Sequence, residues 1–155
     1  MNKILISYFS ATSNTKKVAT KISEILGADL FEIVPVNKYT NDDLDWTNKN
    51  SRSTIEMEND SSRPKITKKI ENINNYDTVI LGFPVWWYKA PKIINSFIEE
   101  NDLLGKKVYV FVTSGSSKVD GSLNNLRKEY SNINFVSGRR FSLNINELDI
   151  KDWIK

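Results

Sequence analysis

The 155-residue chain has no cysteine, no histidine, only six glycines and four prolines. Without cysteine there is no disulfide, no thiolate zinc site, no protein-ligated iron–sulfur cluster and no cysteine nucleophile. Without histidine there is no imidazole base, no Ser-His-Asp triad and no His-ligated metal or haem. Chemistry must then come from a bound cofactor or from a few oxygen groups. No side chain is expected to be catalytic, and no metal site is expected. Long apolar runs are missing too: the longest, residues 78–88, is interrupted by Pro84 and falls well short of a bilayer span. The opening MNKILISYFSA passes straight into polar residues without a small-x-small cleavage pattern, so it reads as a buried strand rather than a leader. A soluble, cytoplasmic protein with no membrane partner is the expectation.

Strong charge of one sign is also absent. Lys+Arg 22 against Asp+Glu 19 gives a net charge of +3. The basic residues are mostly lysine and lie scattered, as at Lys16-Lys17, Lys68-Lys69 and Lys106-Lys107, where outer helix faces or strand entries are expected. Nucleic-acid binders cluster their charge and favour arginine, so no nucleic-acid partner is expected. Hydrophobic content of 39% and charged content of 26% are values of a globular chain.

What is present is alternation. Apolar, β-rich runs at 4–9, 30–34, 79–83, 108–112 and 133–136 read as strands. Between them lie helical periods: Val18, Ile22, Ile25 and Leu26 ending at Gly27, Ile94, Phe97 and Ile98 after Pro91, and Leu123, Leu126 and Tyr130. Pro64 is expected to open another helix carrying Ile66, Ile70 and Ile73, and Leu148, Ile150, Trp153 and Ile154 a terminal one. Strands alternating with helices predict an α/β fold, a doubly wound five-stranded parallel sheet of order 2-1-3-4-5 with helices on both faces. The whole chain, 1–155, reads as a single domain with a polar insert at about 37–63.

In such a sheet ligands bind outside the carboxyl ends of the strands, at the switch point. Three strand-to-helix loops there are chemically loaded. Ser10-Ala11-Thr12-Ser13-Asn14-Thr15 offers four hydroxyls and an amide at a helix start, a donor set suited to a phosphate monoester, though such residues also serve as ordinary helix caps. It is neither GxxxxGK[ST] nor GxGxxG. Pro84-Val85-Trp86-Trp87-Tyr88 places three aromatics in a row, which cannot all face one core, so at least one is free to stack on a planar ring. Thr113-Ser114-Gly115-Ser116 is small enough to let backbone approach a ligand edge.

Taken together, YFSATSNT before a helix, GFPVWWYKAP after the third strand and FVTSGSS after the fourth resemble the flavodoxin-like FMN proteins of short-chain type. The segment YTNDDLDWTNKNSRSTIEMENDSSRP is similar to the polar insert of one bacterial branch of that superfamily. The resemblance covers essentially the whole chain. It implies the flavodoxin-like fold and the cofactor FMN, with the phosphate on Ser10, Thr12, Asn14, Thr15 and the Ser13 N–H. The flavin ring would lie against Pro84, Val85, Trp86, Trp87 and Tyr88 and against Thr113, Ser114, Gly115 and Ser116. Three departures stand out. Ser13 occupies the place of the common phosphate-loop glycine, so a positive φ there would carry strain. The third loop lacks the tyrosine that covers the second flavin face in many carriers, and the chain is mildly basic where those carriers are acidic.

Three functions remain open on the sequence. An electron carrier between a reductase and an acceptor would sandwich the ring. An NAD(P)H-dependent FMN reductase of quinones or similar acceptors would leave one face open. A non-redox module would use the phosphate loop for another ligand or a protein. Trp46, in the insert, is either a lid over the open face or a surface tryptophan packing its own loop. Arg52 and Arg63 are expected to pair with Glu56, Glu58 or Asp60, and Asp42, Asp43 and Asp45 read as solvated rather than as a cation site.

Overall fold

Ile4-Leu5-Ile6 feeds a strand whose side chains are buried on both faces, the mark of a parallel sheet covered by helices on either side. The computed structural model describes residues 3–114 and 117–154. In chain order its elements are β1 (Ile4–Tyr8), α1 (Asn14–Leu26), β2 (Asp29–Glu32), α2 (Arg52–Glu58), β3 (Thr78–Pro84), α3 (Lys92–Glu100), β4 (Lys107–Thr113), α4 (Asp120–Glu129), β5 (Asn134–Arg140) and α5 (Glu147–Ile154). The five strands form one parallel sheet in the order β2-β1-β3-β4-β5. The expected fold class and strand order are therefore correct.

Two cores sit on the two faces. On one, Phe9, Leu81, Phe83 and Val110 pack against Ile93, Ile94 and Phe97 of α3 and Leu123 and Leu126 of α4. On the other, Ile6, Ile80 and Phe111 meet Val18 and Ile22 of α1 and Ile150 and Trp153 of α5. Burying each such side chain contributes about 1.5–3 kcal/mol, which is why the helices lie where their apolar stripes face inward. Gly27 ends α1 at φ 64, its N–H donating to the Ser23 carbonyl. Gly82, in the middle of β3, lies directly under the Phe111 ring, and a Cβ there would fall inside that ring's van der Waals envelope.

Several expectations are corrected. Residues 64–72 are not helical. Val36 N–H donates to the Lys65 carbonyl and Thr67 N–H to the Val34 carbonyl, at 2.9 Å each, around an antiparallel Pro35–Ile66 bridge. Ile66, Ile70 and Ile73 still pack on the first core, but from an extended segment, with a short 3₁₀ turn at Ile73–Asn75. Their helix-like spacing came from where the chain touches the core. The insert, in turn, holds α2, capped by Ser51, whose hydroxyl accepts the Thr54 N–H. Lys106 is buried, not a solvated lysine, and its ammonium donates to the Tyr76 carbonyl at 2.6 Å. β5 runs on to Arg140 past a register shift opposite Val108/Tyr109, and Leu148 of α5 faces outward, 69% exposed.

Candidate functional site

The parallel order puts the ends of β1, β3 and β4 side by side, and the loops that follow them meet at one edge. The hydroxyls of Thr15 and Thr113 are 2.6 Å apart, joining the first turn of α1 to the end of β4. Phe9, just past β1, meets Trp86 edge-on with ring centroids 5.8 Å apart.

In the first loop, Ser10 is committed internally: its hydroxyl donates to the Thr12 carbonyl and accepts the Lys16 N–H. Thr15 is buried, whereas Thr12, Ser13 and Asn14 are exposed. Ser13 is the N-cap of α1 at φ −83, so the strain feared for a non-glycine residue there does not arise. Its side chain makes no capping bond. Ser10 thus takes the third N–H of α1 in place of Ser13, and the helix start presents its positive potential beside three outward polar residues. Lys16 and Lys17, both exposed in the same turn, add positive charge.

The second loop sorts its aromatics. Trp86 turns inward, edge-on to both Phe9 and Tyr39, with 5.4 Å between the Tyr39 and Trp86 centroids. Trp87 and Tyr88 turn outward, 41% and 77% exposed. The two lie at the corners of a tight turn closed by Trp86 N–H to Lys89 carbonyl at 2.9 Å and Lys89 N–H to Trp86 carbonyl at 3.0 Å. Both have positive φ, 50 and 64. Turns of this hand favour Asn-Gly, and each bulky residue held there costs about 1–2 kcal/mol. Pro84 and Val85, half-buried, lead into it.

Thr113 and Ser114 are half-buried in the third loop, the Ser114 hydroxyl donating to the Ser117 carbonyl. Gly115 and Ser116 lie outside the described residues. A cleft of about 410 Å³ opens beside this loop, lined by Asn14, Thr113 and Ser114 and, from the segment after β5, by Phe141, Ser142 and Asn144. Nothing in the sequence singled out that last segment, since its residues are ordinary loop formers.

The insert closes on the second loop through Tyr39. The Arg52 guanidinium lies 3.8 Å from the Tyr39 ring centroid, and the Tyr39 hydroxyl donates to Glu56 at 2.5 Å. Burial, then that bond to a carboxylate, pushes the Tyr39 phenol well above its ordinary range. Arg52 pairs with Glu56 at 2.9 Å, as expected. Arg63 instead reaches Glu99 of α3, and Asp60 reaches the buried Lys92 ammonium at 3.3 Å. Asp43 and Asp45 are spent on turn bonds with Thr40 and Thr47. Trp46 stands 74% exposed. Tyr39 was not legible as a site residue, because a single tyrosine in a polar stretch carries no signal.

Among the described residues no helix is long and apolar enough to cross a membrane. Solved structures share the architecture closely. A candidate flavoprotein of Bacteroides eggerthii is 45% identical, with a TM-score of 0.96 over 99% of this chain and 96% of its own. One of Bacteroides uniformis is 42% identical, with a TM-score of 0.93 over 99% and 97%. A Lactobacillus acidophilus flavoprotein, solved in complex with FMN, shares the fold at 22% identity and a TM-score of 0.81, each chain fully covered. No curated protein sequence matches significantly. The family model described as Flavodoxin matches residues 3–155, and with the sheet order and loop placement above, the chain belongs to the flavodoxin family.

Proposed function

We propose that the crevice binds FMN and that the protein carries electrons between a reductase and an acceptor in the cytoplasm. The observation that carries this reading is the start of α1, where Ser13 makes no capping bond, flanked by exposed Thr12, Ser13 and Asn14, one strand away from the outward Trp87 and Tyr88. The donor set fits a phosphate monoester: the Thr12 hydroxyl, the Asn14 amide and the Ser13 N–H, joined by the Ser10 and Thr15 hydroxyls once these exchange their bonds to the Thr12 carbonyl and to Thr113 for the ligand. The exposed aromatic faces fit a planar ring, with Pro84, Val85 and Trp86 of the same loop and Thr113, Ser114, Gly115 and Ser116 of the loop after β4 proposed as its further contacts. FMN, when bound, supplies reversible one- and two-electron transfer.

The chain's own part is to bind, orient and tune. Ser10 holds the Thr12 carbonyl and the Lys16 N–H, so the phosphate loop is already shaped before any ligand arrives. The Thr15–Thr113 bond fixes the distance between phosphate end and ring end. Exposed Lys16, Lys17 and Lys118 make the surround basic, which favours negative charge on the reduced cofactor. A reduction potential at or below that of acidic flavodoxins would count against this tuning.

A second reading, an NAD(P)H-dependent FMN reductase of quinones or similar acceptors, is favoured by the openness of Tyr88, 77% exposed. One anaerobic experiment separates the readings. The protein is loaded with FMN, stripped of free flavin and mixed with NADPH or NADH. A flavin that stays oxidised until a flavodoxin reductase is added identifies a carrier. Rapid bleaching by the nicotinamide alone identifies a reductase, and failure to retain FMN at all leaves a non-redox module.

A further inference from the structure

Among the described residues, the Trp86–Lys89 turn is where bulky residues of the crevice sit at positive φ, so something outside it must hold it there. We propose that Tyr39, from the insert, and Gly121, from α4, are positioning residues that hold this turn in its left-handed form and thereby shape the cofactor site. The proposal rests on the FMN reading for its ligand. Tyr39 acts on the residue that enters the turn. The Trp86 indole is wedged between the edges of Phe9 and Tyr39, and the Tyr39 ring is itself fixed by Arg52 on its face and Glu56 at its hydroxyl. With its indole held, Trp86 cannot rotate its backbone to relieve the two residues that follow.

Gly121 acts at the other corner. A Cβ at that position would lie 2.7 Å from the Tyr88 carbonyl oxygen, a backbone atom with no freedom to fold away. Only a glycine lets the turn settle this close to the first turn of α4. Its φ is not positive, so the residue is kept for space and not for its own backbone shape. The insert is therefore a brace for the crevice more than a cover: Tyr39 meets Trp86 edge-on, Asp60 reaches Lys92, and Arg63 reaches Glu99.

The test measures the FMN dissociation constant together with the Cα and Cβ chemical shifts of Trp87 and Tyr88 in the apoprotein. Gly121→Ala is the decisive variant, because alanine favours the helix it enters, so a loss comes from its contact with the Tyr88 carbonyl and not from the helix. Gly121→Ala and Tyr39→Ala are each expected to weaken FMN at least tenfold and to move the Trp87 and Tyr88 shifts away from left-handed values. Tyr39→Phe, which keeps the ring but loses the Glu56 bond, is expected to fall between wild type and Tyr39→Ala, and Lys151→Ala, which removes only an exposed ion pair on α5, is expected to stay within twofold of wild type. Wild-type affinity in both alanine variants overturns the proposal, and so does weakened binding with unmoved shifts. Should the wild-type protein itself refuse FMN, the reading beneath the proposal fails, and the shifts alone then decide whether the two residues hold the turn.

Discussion

The hydroxyls of Thr15 and Thr113, 98 positions apart in the chain, share a hydrogen bond of 2.6 Å. The two residues are not equivalent. Thr15 is 2% exposed, while Thr113 is half-buried and can turn to water. Removing the Thr113 hydroxyl strands a buried partner, whereas removing that of Thr15 does not. Thr113→Val should therefore destabilise by about 1–3 kcal/mol and Thr15→Val by less. A double-mutant cycle from urea unfolding should return a favourable coupling between them. Equal single effects with no coupling would mean the bond adds nothing.

Gly82→Ala tests the tightest place in the sheet. The added methyl meets the Phe111 ring between two paired strands, where the backbone has little room to move. The expected loss is about 3 kcal/mol, at the upper end for overpacking. Shrinking the obstruction with Phe111→Leu in the same chain should recover part of it, as read by the urea midpoint.

Asp60 and Lys92 form an asymmetric pair, with side chains 84% and 2% exposed. Water screens the carboxylate, so the attraction is modest, while the ammonium bears the cost of burial. Lys92→Met, which keeps the stem and drops the charge, should be neutral or stabilising. Asp60→Asn should lose about 1 kcal/mol, and less at high salt, given how exposed the carboxylate is. Unfolding curves at two ionic strengths check both, and a larger loss for Lys92→Met would reverse the assignment.

Tyr130 gives the protein an alkaline limit. Burial, and then its hydrogen bond to Glu99, pushes the phenol up to about 12 from 10.0. The raised value means the folded state holds the proton that the unfolded chain gives up. This contribution is complete below pH 10 and is lost as pH rises from about 10 to about 12. Tyr130→Phe should lessen the loss in that part of the stability profile, leaving the share that the raised Tyr39 phenol keeps there, with the slope near neutrality unchanged. Chemical unfolding at steps between pH 9 and 12 reads it directly.

The strands were legible because fully buried parallel strands need continuous β-branched or aromatic runs, as in Val108-Tyr109-Val110-Phe111-Val112. Gly27 and Pro91 marked a helix end and a helix start for equally local reasons. The region 64–73 misled, because three isoleucines at helical spacing can also be the points where an extended chain touches a core. α2 stayed hidden since its buried residues are Ser53, Thr54 and Met57, a face with almost no hydropathy contrast. At the crevice, the meeting of the loops after β1, β3 and β4 was legible from the strand order. Tyr39 and Gly121 were not, because what they contribute is a clamp and an absence of atoms, and both depend on tertiary approach.

The antiparallel bridge between Pro35 and Ile66 has a consequence for how such a chain can change over generations. The excursion begins and ends at nearly one point just past β2, held by two backbone bonds that no side chain supplies. Everything between can lengthen, shorten or be exchanged without shifting the register of any strand, because closing a longer loop adds little entropy. Yet the segment reaches back through Tyr39 to a turn at the crevice. Variation is thus admitted at a place where the scaffold is indifferent to it and the pocket is not, so relatives can diverge in what they bind while remaining, strand for strand, the same protein.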